Sequence, residues 1–217
     1  MKSAASKRIT VLLVDDHAVV REGYRRLLER DESLLVVGEA ATAADAMRYD
    51  GELEPDVLVL DIALPGISGI EVLRRIVARR PAACVLMFSM YQDGIYASRA
   101  FSAGARGYLS KASAPDLLVE AVRSVADGRR YVSPDVERAM TAQSATPGRL
   151  AAALSTRELE VLRMLTQGYG VEKIGERLGL SPKTAANHQS SIKQKLGAES
   201  ALQLVLIAKQ LGLITDP

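Results

Sequence analysis

The chain has 217 residues and 23.3 kDa, with 48% hydrophobic and 25% charged residues, which suits one large domain or two smaller ones and excludes disorder throughout. Net charge is only +2, yet from residue 154 onward 8 Lys+Arg face 6 Asp+Glu, a mildly basic tail that permits nucleic-acid binding without demanding it. One cysteine, Cys84, and two distant histidines, His17 and His188, exclude an internal disulfide and a local zinc site. No apolar run reaches the roughly 18 residues of a membrane helix, and the polar start lacks a signal-peptide core. The protein is therefore expected in the cytoplasm, with no membrane partner.

From Ile9 to Ala126, short apolar runs alternate with amphipathic stretches, as in a parallel sheet covered by helices on both faces. Ile9 to Val14, Leu34 to Gly38, Asp56 to Leu60, Ala83 to Phe88 and Gly107 to Leu109 are predicted strands. Val20, Tyr24, Leu27 and Leu28 repeat with helical spacing, as do Ile70, Leu73, Ile76 and Val77, and Leu117, Leu118, Ala121, Val122 and Val125. Val11 to Val14 and Val57 to Leu60 are continuously hydrophobic, as strands buried on both faces require. Cys84 falls within an apolar strand and is expected to be buried.

After Gly128 the pattern breaks into small and polar residues, least ordered in pattern from Ala142 to Gly148. The division is residues 1–128 as a first domain, 129–153 as a linker, and 154–217 as a second. The latter reads as all helical, with Thr156 to Gln167, Val171 to Leu178, Pro182 to Leu196 and Ser200 to Leu211 separated by Gly168, Gly179 and Gly197. The pattern thus reads as an α/β five-stranded parallel sheet with helices on both faces, followed by a small all-α domain.

In an open parallel sheet, ligands bind beyond the carboxyl ends of the strands. Asp15 and Asp16 follow the first predicted strand, Asp61 the third and Ser89 the fourth, while Lys111 closely follows the fifth. Converging carboxylates repel one another, and a hard divalent cation such as Mg²⁺ relieves this through oxygen coordination. Beside such a cation a carboxylate can attack phosphorus, with a lysine and a hydroxyl neutralising the transferred oxygens. Asp61 is the best nucleophile, since it stands alone on a central strand before the turn Ile-Ala-Leu-Pro-Gly. Asp15 and Asp16 would hold the metal, and Lys111 and Ser89 would contact the phosphoryl group.

The ordered set Val-Asp-Asp-His, Asp-Ile-Ala-Leu-Pro-Gly, Phe-Ser-Met and Gly-Tyr-Leu-Ser-Lys resembles the receiver domain of two-component response regulators over residues 9–127. The resemblance implies a doubly wound, flavodoxin-like α/β five-stranded parallel sheet with strand order 2-1-3-4-5, and phosphorylation of Asp61 by a sensor histidine kinase. It further implies Mg²⁺ held by Asp16, Asp61 and the Ala63 carbonyl, with Asp15 acting through water. Ser89 and Tyr108 would form a switch, the hydroxyl moving to the phosphoryl group and the aromatic turning inward. Read from the residues alone, Tyr108 is a half-buried aromatic at a sheet edge, and His17 is a loop residue beside the site and not a ligand. Two departures stand out. Ala112 follows the lysine where many receivers have proline, and the bulky Met90 and Tyr91 follow Ser89.

In the second domain, Leu178-Gly179-Leu180-Ser181 makes a tight turn, and Ser181 and Pro182 start a helix. Ala185, Ile192 and Leu196 share one face of it, while Lys183, Asn187, Ser190, Ser191 and Gln194 lie opposite, a polar face suited to a major groove. The run Leu-Ser-Thr-Arg-Glu-Leu-Glu-Val-Leu, Gly168-Tyr169, Ile174, Leu-Gly-Leu-Ser-Pro-Lys-Thr, Asn187-His188 and Lys195-Leu196-Gly197 resembles the LuxR-type helix-turn-helix of NarL/FixJ regulators over residues 154–214. That resemblance places Ala186, Asn187 and Ser190 toward bases and Lys183, Thr184, His188 and Lys195 toward the backbone of double-stranded promoter DNA. In the last helix Ala201, Leu204, Val205, Ala208 and Leu211 form one apolar face and Leu202 and Leu206 another. Two faces need two covers: either the domain covers one and a second copy the other, or the small domain buries both, and on the first reading Leu202, Val205 and Leu206 are candidates for a homodimer that forms on phosphorylation.

The function expected is a phosphorylation-controlled DNA-binding transcriptional regulator, not an enzyme. The alternative is the same architecture acting independently of phosphorylation or through protein contact, against which the intact Asp15, Asp16, Asp61, Ser89 and Lys111 argue. Phosphotransferases with an aspartyl-phosphate intermediate commonly carry a second acid two residues after the nucleophile, where this chain has Ala63.

Overall fold

The computed structural model describes residues 8–113, 115–142, 152–211 and 213–214. Strands β1 (Ile9–Val14), β2 (Leu34–Ala40), β3 (Val57–Leu60), β4 (Val85–Ser89), β5 (Gly107–Ser110) and β6 (Tyr131–Val132) form one sheet in the order β2-β1-β3-β4-β5-β6. Every pairing is parallel. The helices between the strands are α1 (Ala18–Glu29), α2 (Ala43–Leu53), α3 (Gly69–Arg79), α4 (Gly94–Ser102) and α5 (Asp116–Ala126), and α6 (Pro134–Ala142) follows β6.

Alternation along the buried strands sorts the core into two layers. Val11, Leu13, Val57, Val59, Leu86 and Phe88 face α1 and α5, meeting Leu28, Leu118, Ala121, Val122 and Val125. Leu12, Val14, Leu58, Leu60 and Met87 face the other side, against Ala46 of α2, Ile70, Leu73 and Ile76 of α3, and Ala97 and Ala100 of α4. The continuous apolar runs arise because both faces of each central strand are covered.

The five expected strands are joined by a sixth, and its helix also lies within the span 129–153. Tyr131 donates to the Arg106 carbonyl at 3.2 Å and Ser133 to the Tyr108 carbonyl at 3.1 Å, so β6 satisfies backbone groups that β5 would otherwise leave at an edge. Val136 of α6 is wholly buried. A two-residue strand has no periodicity to read, which is why the pattern missed it. Apart from Ala142, which ends α6, the stretch to Gly148 lies outside the described residues. Cys84 is also not as expected: it precedes β4 and is half-buried.

The helical module comprises α7 (Thr156–Thr166), α8 (Val171–Leu178), α9 (Pro182–Leu196) and α10 (Ala201–Gln210). Capping boxes start α7 at Ser155 with Glu158 and α10 at Ser200 with Gln203. Ser181 accepts from the Thr184 N–H with Pro182 in the first turn of α9, and Gly179 and Gly197 end α8 and α9 in the left-handed conformation. Leu159, Leu162, Ile174, Leu178, Ala185, Ile192, Leu204 and Ala208 are packed in the same buried cluster as the α3–α4 face of the sheet.

Candidate functional site

Backbone hydrogen bonds just past the strands set the geometry at one end of the sheet. Asp15 N–H donates to the Ala40 carbonyl at 3.1 Å, Asp61 N–H to Val14 at 2.9 Å and Lys111 N–H to Ser89 at 2.8 Å. These bonds carry Asp15, Asp61 and Lys111 into one pocket, where Lys111 Nζ lies 2.5 Å from both Asp15 Oδ2 and Asp61 Oδ2. Asp61 is only 3% exposed. Lys111 also sits over the Phe88 ring at 5.9 Å, and Phe88 packs edge-on against Tyr24.

Two buried carboxylates thus share one ammonium. Burial opposes the lysine charge, but Asp61 and Asp15 outweigh it and hold the ammonium above its ordinary pKa. Burial pushes the Asp61 carboxyl up despite Lys111 and the Ala63 N–H, which donates to Asp61 Oδ1 at 3.2 Å. Asp16 adds a third acid whose buried Oδ1 has no hydrogen-bond partner among the described residues, with His17 Nδ1 2.8 Å away. His17, expected merely beside the site, forms a group with Asp15 and Asp16 compact enough to hold a metal ion. An excess of hard oxygen donors over positive charge fits a hard divalent cation.

Ser89 is fully buried, and its Oγ accepts from the Tyr91 N–H at 3.4 Å. Tyr108 is fully buried rather than half-buried at an edge, because β6 and α6 cover β5; its hydroxyl donates to the Tyr91 carbonyl at 2.7 Å. Tyr91 in turn stacks on Tyr96 at 4.3 Å.

Sequence reasoning missed a charged contact between the modules. Arg157, Glu160 and Arg163 recur every three residues on α7 and so share a face. Arg157 Nη2 donates to the Leu64 carbonyl at 3.1 Å, and Ser68 Oγ lies 3.0 Å from Glu160 Oε1, whose partner oxygen binds Arg157 at 2.5 Å. Arg163 pairs with Asp93 at 3.1 Å and lies 5.0 Å over Tyr91. Gly66 N–H donates to the Leu178 carbonyl at 3.0 Å. Burial pushes the Glu160 carboxyl up to about 7, against the opposing pull of Arg157 and Ser68 and with the Asp61 charge adding to the rise. The regular charge spacing was visible in the sequence, but a charged helix face ordinarily means a solvated one.

On α9, Lys183, Thr184, Asn187 and Ser190 are exposed, Ala186 and His188 half-buried, and Ala185 and Ile192 buried. Lys195 binds Glu158 at 2.8 and 2.7 Å, and Ser191 Oγ donates to Glu158 Oε1 at 2.7 Å. This ties the far end of α9 to the start of α7. On α10, Leu202 and Leu206 are 69% and 53% exposed, while Val205 is half-buried and Leu204 and Ala208 lie in the core.

A strand-end carboxylate pocket joined to a helix-turn-helix module defines a receiver-controlled DNA-binding regulator. Residues 11–123 match the response regulator receiver domain, and residues 152–208 the LuxR family of bacterial regulatory proteins. Response regulator UvrY of Escherichia coli is 38% identical over 208 residues, covering 94% of this chain and 95% of that protein. Response regulator GacA of Pseudomonas aeruginosa is 34% identical over 209 residues, covering 95% and 98%. RcsB of Salmonella enterica serovar Typhimurium, solved bound to promoter rprA in the presence of the phosphomimetic BeF3−, is similar with 27% identity, a TM-score of 0.65 and coverage of 94% and 99%. The chain belongs to the NarL/FixJ-type two-component response regulators, which are DNA-binding transcription regulators and not enzymes.

The Glu158 tie gives a pH prediction. Burial pushes this carboxyl up, but Lys195, the Ser155 N–H and Ser191 prevail and hold it at about 2, below its ordinary 4.5. Its contribution to stability is therefore complete above pH 4.5 and is lost as pH falls through about 2. In thermal melts followed by circular dichroism, Glu158→Gln should lower the midpoint at pH 7, and the deficit should shrink toward pH 3. A deficit independent of pH would show that the charge of Glu158 is not what stabilises.

Proposed function

We propose that residues 1–128 act as the receiver, 129–153 as the linker and 154–217 as the DNA reader, and that phosphorylation of Asp61 by a sensor histidine kinase controls the reader. The observation that carries this is the sharing of one buried ammonium by Asp15 and Asp61, each 2.5 Å from Lys111 Nζ. An Asp61 carboxylate oxygen attacks the phosphorus of a phosphohistidine. The O–P bond forms as the P–N bond breaks, and the imidazole leaves with a proton from solvent. Lys111 then pairs with the phosphoryl oxygens, and Ser89 donates its hydroxyl to them. Asp15, Asp16, Asp61 and the Ala63 carbonyl would hold Mg²⁺, which supplies charge neutralisation on the transferred group. Tyr108, already inward, would fix the Tyr91 backbone when Ser89 moves.

The reader faces double-stranded promoter DNA with α9. Asn187, Ser190 and Ala186 meet base edges, while Lys183 and Thr184 meet phosphates, with His188 and Lys195 at the margin. Leu202, Val205 and Leu206 pair two copies when the receiver is phosphorylated. The exposure of Leu202 and Leu206 supports this. The protein works in the cytoplasm; in support, no helix among the described residues is long and apolar enough to cross a membrane.

Intact-mass measurement after treatment with acetyl phosphate and Mg²⁺ tests the phosphoacceptor. The parent should gain one acid-labile phosphoryl group and Asp61→Asn none; a substituted protein that still gains the mass sinks the assignment. Salt-series binding to paired half-sites tests the reader. Lys183→Ala should weaken binding to all sequences and flatten the salt slope by about one unit, whereas Asn187→Ala should cost roughly 1–3 kcal/mol at one base position. Leu206→Asp should leave the fold intact and abolish cooperative occupancy of the two half-sites. Equal losses on selected and scrambled DNA for Asn187→Ala would move the recognition face elsewhere.

A further inference from the structure

Lys111 carries the one ammonium that Asp15 and Asp61 share, so its reach depends on where the chain around it is fixed, and Ala112 gives that turn no ring to hold it. Three consecutive N–H groups do the fixing. Lys111 N–H donates to the Ser89 carbonyl at 2.8 Å, Ser110 N–H to Ser133 Oγ at 3.3 Å and Ala112 N–H to Ser110 Oγ at 3.1 Å. Two of the three acceptors are hydroxyls on wholly buried serines, and a hydroxyl keeps its lone pairs in one direction only when its own proton is claimed elsewhere. Asp135, in the first turn of α6, claims those protons. Burial raises this carboxyl, but bonds from Ser133, Ser113, the Val136 N–H and Ser110 prevail and hold it below its ordinary range. An ionised carboxylate only accepts, so the Ser110 and Ser133 protons point at Asp135 and their lone pairs at the backbone on either side of Lys111. Ser113 Oγ donates to Asp135 Oδ1 at 3.1 Å, which closes the turn onto the same carboxylate.

We infer that Asp135 is a positioning residue for phosphoryl transfer to Asp61: by orienting the Ser110 and Ser133 hydroxyls it fixes the main chain at Lys111, and with it the ammonium that must meet the transferred oxygens. Asp135 touches neither the phosphoryl donor nor Asp61 and acts only through Lys111. Phosphoryl transfer depends almost wholly on positioning and electrostatics, and a misplacement of about 1 Å can cost on the order of 100-fold in rate. The residues proposed to hold Mg²⁺ follow β1 and β3, not this turn, so metal binding is independent of Asp135. The short strand β6 and the helix after it thereby take part in the chemistry of the pocket.

The inference rests on Asp61 being the phosphoacceptor, and the test separates the two. Asp135→Ala removes the shared carboxylate and Ser110→Ala one of its hydroxyls; they lie on α6 and β5, so a common effect is not a folding defect of one helix. Glu137→Ala removes the other acid of the first turn of α6, an exposed one, and controls for lost helix stability. Full-length proteins are treated with acetyl phosphate at saturating donor and Mg²⁺, with phosphoryl gain followed by intact mass and Mg²⁺ affinity by calorimetry. Asp135→Ala and Ser110→Ala should gain the group roughly 10-fold more slowly than the parent, with Mg²⁺ affinity unchanged and Glu137→Ala at the parent's rate. In a Lys111→Ala background, Asp135→Ala should slow the reaction no further, because the two residues act as one unit. The parent's rate in Asp135→Ala or Ser110→Ala overturns the inference, as does an equal loss in Glu137→Ala, weakened Mg²⁺ binding, or a full second loss in the double variant. A parent that takes up no phosphoryl group overturns the phosphoacceptor reading and this inference with it.

Discussion

Everything at the signalling end of the sheet depends on one buried ammonium divided between two carboxylates. Lys111 is brought to Asp15 and Asp61 by backbone bonds that extend the parallel ladder one residue past β1, β3 and β5. One positive charge cannot satisfy Asp15, Asp61 and Asp16 together, and that deficit defines the chemistry: the pocket is short of cation and rich in hard oxygen. On the proposed reading, a phosphoryl group on Asp61 would exchange the Lys111 pairing for a new one.

The loops beyond β3 and β4 do not end in solvent. Leu64, Gly66 and Ser68 on one and Tyr91 and Asp93 on the other lie against the first two helices of the reader, and the apolar cluster beneath α3 and α4 continues into α7. The contact mixes a continuous core with buried charge. Glu160 lies wholly buried beside Arg157, an arrangement that contributes little net stability against an apolar substitute yet is costly to break from one side. Within the reader, the tie from Glu158 to Lys195 and Ser191 fixes α9 to α7.

Much of this was legible in the sequence because the rules behind it are local. Val11 to Val14 and Val57 to Leu60 announce buried parallel strands, Ser181-Pro182 a helix start, and the polar residues past every predicted strand but the second a pocket. What escaped depends on distant partners. Tyr131 and Val132 form a strand only because β5 offers an unpaired edge, and Tyr108 is buried only because that strand and α6 cover it. Arg157, Glu160 and Arg163 look like a solvated helix face until the receiver loops are set against them. Lys195, expected to face phosphate, is drawn to Glu158, which sequence distance conceals.

The account's central claim is that chemistry at Asp61 changes how the reader engages DNA. The direct measurement is fluorescence anisotropy of the full-length protein titrated onto a selected promoter fragment at fixed salt and Mg²⁺, with and without acetyl phosphate. The account predicts that phosphorylation tightens binding roughly 5-fold or more, the lower end of ordinary coupling between two sites. Equal affinity in the two states, with phosphorylation of Asp61 verified in the same sample, would contradict it.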